Sequence, residues 1–446
     1  MSKNKNDLKK YIITFDDDSI PQTRAAEMLG VSESNLTDAV SMLETAYDLE
    51  TVDNLHFKEL GCTSMRMSKA DAEKLRKEKG VLEVIEDFEV SIIDDDNFIN
   101  VQPESISGTE DLMTPTYGVP SLSQDEFNWE DDIIATELES IIQVDRSEDA
   151  NDLITKPILK QNPFPGASKD YLLWNISKVG AHRAWGRALF GAGIKVAVLD
   201  TGISRHKDLI VYGGASFVPG TKNYNDKNGH GTHCAGVIGA NINGTGIIGV
   251  APLARMYAVK VLDDQGRGSF SAMLAGMAWA LRNKMHVVSM SLGSSRPPVA
   301  ALIRMVELLN KAGITVVAAA GNSYGSDFPH VNTPANCPGV IAVGAVDKNS
   351  KIGYFSSRGG KFNQVSISAP GVGIASTFPT NSYRSLSGTS MACPHVAGAV
   401  ALIKRRFPTA TPAWIKQRLE RNARDLGGPG HDSTYGAGLL SCDRAV

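Results

Sequence analysis

The sequence lacks long hydrophobic runs and has few cysteines for its length. No segment reaches the 18 or so consecutive apolar residues of a membrane-spanning helix, which excludes an integral membrane protein. Only five cysteines occur in 446 residues. That is too few for the dense disulfide framework of small secreted proteins, and the odd number leaves at least one thiol free. Both features favour a globular protein of a reducing compartment.

A recognisable export signal is also missing from the first residues. After a basic start, the apolar run from Tyr11 to Phe15 covers only five residues, whereas a signal-peptide core needs about 7–15. We therefore expect a cytoplasmic protein, with export by a route other than the general secretory pathway as the alternative.

Basic residues are almost absent from one long segment. Between Glu86 and Asp152 there are 20 acidic side chains and one basic side chain, Arg146, although the net charge of the whole chain is only −4. Such a segment repels itself and is typical of a solvated linker. The alternative is an acidic strap that lies on the basic remainder of the chain.

The first 95 residues have the pattern of a small α+β domain with the order β, α, β, β, α, β. Ser68 is a suitable N-cap for a helix from Lys69 to Lys79, Gly80 ends that helix, and strand-forming residues follow from Val81 to Ile93. Nothing in this part carries recognisable chemistry by itself.

Prolines and fading periodicity separate this unit from the rest of the chain. We predict three parts: a domain over 1–95, an acidic linker over 96–168 with one short amphipathic helix at 133–144, and a large domain over 169–446. In the large domain, buried-type strands such as GIKVAVLD and GITVVAAAG alternate with helix-length stretches. This alternation predicts an α/β fold, a doubly wound, mostly parallel sheet with helices on both faces.

Three residues of the large domain have the chemistry of a nucleophilic site. Asp200 follows a strand, His230 lies between glycines at the start of a small-residue helix, and Ser390 precedes a helix near Pro394. We expect Pro394 in the first helical turn, because proline is tolerated there. A serine hydroxyl becomes a good nucleophile when an imidazole takes its proton and a carboxylate orients that imidazole. Asp200, His230 and Ser390 together therefore predict a catalytic triad.

The segments VAVLDTGIS, NGHGTHCAG and GTSMACPHVAG, which contain these residues, resemble the three active-site motifs of the subtilase family in the same chain order. The resemblance extends from residue 172 to the C-terminus. It implies a serine endopeptidase that forms an acyl-enzyme on Ser390. VVAAAGNS resembles a fourth motif and implies that Asn322, with the backbone N–H of the serine, binds the oxyanion; an isolated Gly-Asn is otherwise typical of a turn.

Two segments resemble the family's substrate cleft, which binds an extended peptide as an added β-strand. Phe270 is expected to line an apolar pocket for the fourth residue before the cleaved bond, with ordinary core packing as the alternative. Ala319, Ala320 and Gly321 imply a roomy, uncharged wall of the pocket for the residue that directly precedes the bond. Asn332 is expected near the pocket floor. The residues expected to bind substrate are Ser291, Leu292, Gly293, Gly266, Gly268, Phe270, Ala320 and Gly321.

The loop 241–247 resembles the family's calcium site, in which oxygen ligands suit a hard cation. Asp170 is a further candidate ligand, and a plain Gly/Asn-rich surface turn is the alternative. The resemblance implies no organic cofactor. The expected calcium ligands are Asp208, Asn241, Asn243, Thr245 and Ile247.

The N-terminal unit resembles the family's inhibitory propeptide of the ferredoxin-like kind, through FKELGCTSMRMSKADAEKLRKEKGVLEVIEDFEVSI. This implies a self-inhibited precursor that matures by autocleavage, with its own propeptide helping it to fold and placing the tail after Ile93 in the cleft. The acidic segment of roughly 70 residues departs from the family pattern. The cut is therefore expected near the end of the inhibitory domain, near Gly166, or at both.

We expect protein or peptide substrates, no nucleic-acid or membrane partner, and a monomer. Cys234 and Cys393 are interpreted as small packing residues, and His233 and His395 as structural. Two other functions stay open: a catalytically inactive binding protein of this fold, and a dedicated peptidase that processes one cytoplasmic partner.

Overall fold

The computed structural model describes residues 8–38, 54–93, 112–113, 170–326, 330–360 and 364–446. Nearly all of the predicted linker over 96–168, its helix at 133–144 and the candidate junction near Gly166 lie outside the described residues. In the described part of the chain, no helix combines the length and apolar character needed to cross a bilayer.

The described residues up to 93 hold a small sheet with helices on one face. Its strand order is β2-β3-β4-β1-β5, with β1 antiparallel to both β4 and β5. The elements of this part are strands β1 (Lys9–Phe15), β2 (Thr37–Asp38), β3 (Leu55–Phe57), β4 (Cys62–Met67), β5 (Val81–Glu86) and β6 (Glu89–Ile92), and helices α1 (Gln22–Leu29) and α2 (Lys69–Leu75).

The alternation of side chains along β1 explains how this sheet is buried on both faces. Ile13 and Phe15 pack with α1 and α2, whereas Ile12 packs into a core that belongs mainly to the large domain. The N-cap at Ser68 is confirmed, because its hydroxyl accepts the Asp71 N–H at 3.1 Å.

Two predictions for this domain were wrong in detail. The helix predicted from Lys69 to Lys79 ends at Leu75, and the next residues form turns that Gly80, with φ +93°, closes. The predicted strand from Val81 to Ile93 breaks at Asp87 and Phe88. The second half, β6, leaves the small sheet and pairs with the large domain, so tertiary contacts and not local strand propensity decide which sheet it joins.

The large domain confirms the predicted doubly wound α/β fold. Among the described residues, seven parallel strands form its sheet in the order β10-β12-β9-β14-β16-β17-β18. The strands are β7 (Leu112–Met113), β8 (Asp170–Leu173), β9 (Lys195–Asp200), β10 (Val211–Ser216), β11 (Gly246–Ile247), β12 (Arg255–Lys260), β13 (Arg267–Ser269), β14 (Val287–Met290), β15 (Leu292–Gly293), β16 (Thr315–Ala319), β17 (Ile341–Val346), β18 (Ile367–Pro370), β19 (Ile374–Phe378) and β20 (Ser382–Leu386).

Helices cover both faces of this sheet because its strands are apolar on both sides. Along β9, Val196 and Val198 pack with α5 and α8, whereas Ala197 and Leu199 pack with α6 and α7. The helices are α3 (Trp174–Lys178), α4 (Ala181–Trp185), α5 (His230–Gly239), α6 (Phe270–Arg282), α7 (Ala300–Lys311), α8 (Thr389–Arg406), α9 (Pro412–Asn422) and α10 (Cys442–Ala445).

Candidate active site

The carboxyl end of β9 and the start of α5 bring Asp200 and His230 together. His230 Nδ1 lies 2.7 Å from Asp200 Oδ1, and the side chains are 1% and 0% exposed. Thr201 N–H donates to the same carboxylate oxygen at 2.7 Å. The carboxylate therefore holds the imidazole in one orientation and directs Nε2 away from Asp200.

A second buried carboxylate shapes the turn that carries His230. Asp226 Oδ1 accepts the N–H groups of Asn228 and Gly229 at 3.0 and 2.8 Å, and Oδ2 accepts the hydroxyl of Thr232 at 2.6 Å. Gly229 has φ +105°, and a Cβ there would lie 2.1 Å from the ring of Phe378. Only glycine fits at that position. Asp226 was not predicted from the sequence, where the signal for it was an acidic residue four positions before the histidine.

Ser390 is the second residue of α8 and is fully buried. Pro394 is the sixth residue of that helix, so the prediction that it lies in the first turn was wrong. Pro394 has no N–H to give to the carbonyl of Ser390, four residues earlier. The hydroxyl of Ser291 donates to that carbonyl at 2.8 Å, with the Cys234 thiol at 3.6 Å. A tertiary hydrogen bond thus replaces the missing helical one.

Asn322 lies on the loop after β16 and contacts Thr389, the residue before Ser390. Its Oδ1 accepts the backbone N–H and the hydroxyl of Thr389 at 3.0 and 2.9 Å, which fixes the amide plane. In the part of the chain that the structure describes, the buried Nδ2 has no hydrogen-bond partner. This donor lines the same open cavity as Ile93, which has a volume of about 330 Å³. It is available to an oxygen that gains negative charge there.

The strand β6 occupies the cleft in front of these residues. It runs antiparallel to β13, where Val90 pairs with Gly268, and antiparallel to β15, where Ile92 pairs with Leu292. Beyond β6, the hydroxyl of Ser390 donates to the carbonyl oxygen of Ile93. The chain therefore lies in the cleft as an extended peptide whose residue 93 reaches the nucleophile.

The residues predicted to bind substrate fall into two groups. In the first group, the Ser291 carbonyl accepts the Ser390 hydroxyl at 3.1 Å, and the strand β6 pairs with Leu292, Gly293 and Gly268. The carbonyl of Gly266 accepts Ile92 N–H at 2.9 Å, and Phe270 packs on Phe88. Ala320 and Gly321 lie behind the cavity: Ala320 is fully buried in the core, and Gly321 N–H donates to the Thr389 hydroxyl. Asn332 lines the cavity with Ile93.

The predicted calcium ligands surround two buried carboxylates. Asp208 Oδ2 accepts from Ile247 N–H at 3.0 Å and Tyr383 Oη at 2.7 Å, and Asp170 Oδ2 accepts from Gly244 N–H at 2.9 Å. Among the described residues, the other oxygen of each carboxylate has no hydrogen-bond partner. Burial raises the pKa of Asp170 to about 7 and also raises that of Asp208. Two buried acids with orphaned oxygens form a donor set that suits a hard cation.

The other members of the predicted set are part of the same loop. Asn241 N–H donates to the carbonyl of Asp208 at 2.8 Å, and the Asn243 amide donates to the carbonyl of Lys207 at 2.9 Å. Thr245 has a buried hydroxyl without a partner in the described part of the chain. The loop is therefore tied to the segment that carries Asp208.

Thiols and further histidines near the centre are buried. Burial raises the pKa of Cys393 to about 12, so its thiol stays protonated. The Cys234 thiol lies 3.6 Å from the Ser390 carbonyl. His395 Nε2 lies 2.8 Å from the Asn175 amide, and His233 Nε2 lies 2.8 Å from the Ile374 carbonyl.

Polar contacts tie the small domain to two helices of the large one. The Asp87 carboxylate accepts the N–H and hydroxyl of Ser271 at 3.0 and 2.6 Å at the start of α6, and Glu83 accepts Ala300 N–H at 3.0 Å at the start of α7. Carboxylates are favoured at these helix N-termini. Arg304 of α7 donates to the carbonyls of Phe15 and Leu60 at 2.9 and 3.0 Å.

Comparisons with known proteins agree with this geometry. A model of the subtilase family matches residues 191–438. The chain is 49% identical over 61% of its length to a thermostable alkaline protease of Halalkalibacterium halodurans, of which it covers 73%. It is 48% identical to Subtilisin BL of Lederbergia lenta and 45% identical to Subtilisin DY of Bacillus licheniformis, over 61% of this chain and 98% of each relative.

Proposed function

The chain belongs to the subtilase family and is a subtilisin-like serine endopeptidase. We propose that it is made as a self-inhibited precursor that matures by cutting its own chain after Ile93. The observation that carries the proposal is the contact between the Ser390 hydroxyl and the Ile93 carbonyl, at the end of a strand paired on both sides with the cleft.

The reaction assigns one role to each residue of the site. Ser390 Oγ attacks the carbonyl carbon while His230 Nε2 takes its proton, and Asp200 stabilises the imidazolium that forms. The Asn322 amide and the Ser390 backbone N–H donate to the oxyanion. The imidazolium then gives its proton to the leaving amine, which leaves an acyl-enzyme. Water, activated by the same imidazole, hydrolyses that ester.

The same arrangement accounts for inhibition. After the cut, the strand β6 remains paired with β13 and β15, and the contacts of Glu83, Asp87 and Arg304 still hold the small domain on α6 and α7. The new carboxylate of Ile93 would stay at Ser390 as a bound product. Activity then requires that the small domain leaves or is degraded.

The proposal is tested by comparing the full chain with its Ser390→Ala variant by intact mass. We expect the unaltered chain to shorten, with a new N-terminus at residue 94, and the variant to stay whole. A Ser385→Ala variant on β20 is the matched control and should shorten normally. Equal shortening of the Ser390→Ala chain would show that processing is not autocatalytic, and a first cut near Gly166 would contradict the assigned bond.

The same preparations separate the two other functions that the sequence left open. If a fluorophosphonate probe does not label Ser390 in processed protein, a non-catalytic binding role is favoured. Cleavage of casein at many bonds indicates a general endopeptidase, whereas a single cut in one partner indicates a dedicated processing enzyme.

We propose in addition that calcium binds between Asp208, Asp170 and the loop 241–247. The orphaned oxygens of both carboxylates and the Thr245 hydroxyl support this. When bound, a divalent cation supplies positive charge that offsets the repulsion of two buried carboxylates. The carbonyls of Thr245 and Ile247 and the Asn243 side chain would complete an oxygen-only set.

A further inference from the structure

The side chain of Phe88, in the small domain, contacts the large domain outside the paired strands. The ring of Phe88 stacks on the ring of Phe270 with centroids 4.6 Å apart and planes 19° apart. The guanidinium of Arg296 lies 5.0 Å from the centroid of the Phe88 ring. Phe88 is 7% exposed, although it lies in a segment between two short strands.

The position of Phe88 relative to the reactive bond is fixed by the backbone. The ladder between β6 and β13 ends where Glu89 pairs with Ser269, and Phe270 N–H then donates to the Phe88 carbonyl at 2.8 Å. Counting back from Ile93, Phe88 is the sixth residue before the bond. Any extended substrate with the same pairing places its own sixth residue between Phe270 and Arg296.

The two partners of Phe88 recognise an aromatic ring specifically. Phe270 offers a flat face for stacking, and Arg296 offers a cation to the electron-rich face of a ring. An aliphatic side chain covers the same apolar surface but gains neither the stacking nor the cation–π attraction. The carbonyl of Arg296 accepts the Thr333 hydroxyl at 2.6 Å and the Asn336 amide at 3.1 Å. The large domain therefore holds the backbone of Arg296 independently of the small domain.

We propose that the mature enzyme carries a binding site selective for an aromatic side chain at the sixth residue before the cleaved bond, formed by Phe270 and Arg296. The inference rests on the proposed function, because it takes Ile93 as the residue that precedes the bond. Its substrates are extended peptide segments that combine an aromatic residue at this place with apolar residues near the bond, in the pattern Phe-Glu-Val-Ser-Ile-Ile of the chain itself.

The test uses self-processed enzyme and two fluorogenic peptides that carry this hexapeptide before the bond, one with Phe and one with Leu at the sixth place. We expect kcat/KM to be about tenfold higher for the Phe peptide, mainly through a lower KM, because stacking and cation–π contacts act far from the reacting atoms. In an Arg296→Gln variant the Phe-to-Leu ratio should fall to about threefold, and an Arg296→Lys variant should keep most of it. A Phe270→Leu variant keeps the cation–π contact but loses the stacking, so it should also lower the ratio to about threefold.

Equal kcat/KM for the two peptides with unaltered enzyme overturns the aromatic site, as does a ratio that Phe270→Leu and Arg296→Gln leave unchanged. Fluorophosphonate labelling distinguishes this result from failure of the proposed function. If Ser390 is labelled and the two peptides are cleaved equally, only the proposal of an aromatic site is refuted. If Ser390 is not labelled and neither peptide is cleaved, the proposed function is refuted, and the aromatic site is refuted with it.

Discussion

Replacing Ser291 by alanine tests how the nucleophile's helix tolerates its proline. Pro394 has no N–H, so the buried carbonyl of Ser390 depends on the Ser291 hydroxyl at 2.8 Å. In Ser291→Ala the remaining neighbour is the Cys234 thiol at 3.6 Å, and a thiol is a weak donor. Leaving a buried carbonyl unsatisfied costs about 1–3 kcal/mol. We expect the free energy of unfolding to fall by about 2 kcal/mol.

The measurement is denaturant unfolding in a Ser390→Ala background, which prevents self-digestion and keeps the backbone carbonyl at residue 390. Ser289→Ala is the matched control: Ser289 is also buried at the centre, but among the described residues its hydroxyl contacts the Cys393 sulfur alone, at 3.7 Å. Loss of the Ser289 hydroxyl should lower the free energy of unfolding by clearly less than loss of the Ser291 hydroxyl. Equal losses for the two variants would refute the reasoning.

A second change makes the test sharper. Pro394→Ala restores an N–H that can bond the Ser390 carbonyl within the helix, so it should reduce the cost of Ser291→Ala. We expect a coupling free energy of about 1 kcal/mol or more in the double-mutant cycle. Additive losses would show that the Ser291 hydroxyl does not replace the helical hydrogen bond.

Three further predictions concern metal, docking and pH. A calcium chelator should lower the melting temperature of the Ser390→Ala chain by several degrees, and Asp208→Asn should abolish that difference; an equal effect on both chains would contradict the site. Arg304→Met removes charged hydrogen bonds to the carbonyls of Phe15, Asp16, Asp17 and Leu60 and should weaken docking by about 2 kcal/mol, so active enzyme should appear up to about thirtyfold sooner in an activity time course. Lys311→Met at the end of the same helix is the control, and equal lag times would argue against the contact. Burial lowers the pKa of His395 to about 3, so the folded chain stays unprotonated there while the unfolded chain binds a proton below about pH 6.5. His395 should therefore lower the free energy of unfolding by up to about 1.4 kcal/mol per pH unit from pH 6.5 towards 3, and His395→Gln should reduce the total slope by that amount. A slope equal to that of the unaltered chain would refute this prediction.

Local patterns were sufficient to predict the large sheet and the meeting of three motifs at one edge. The buried strand before Asp200 ends at the carboxyl edge of the sheet, and His230 and Ser390 begin helices that pack there. Strand and helix periodicity carries this information directly, because the carboxyl ends of parallel strands share one edge.

The contacts that connect distant segments could not be predicted in the same way. Asp87 caps α6 and Arg304 binds the small domain across more than 180 residues of sequence, and neither residue stands out in its own segment. The carbonyl of Ser390 finds a donor 99 residues away in Ser291. The break of the strand at residue 87 has the same origin, since β6 gains its pairing from β13 and β15.

The cleft consists of two strand edges that each need a partner. In this chain, β6 supplies both sets of backbone hydrogen bonds at once, over a stretch that continues to residue 93. A strand inside another protein's sheet has its own edges already paired and does not fit between β13 and β15. The mature enzyme should therefore act on segments that are unfolded or have lost their neighbours, so that its rate on a given protein reports how often that protein opens locally.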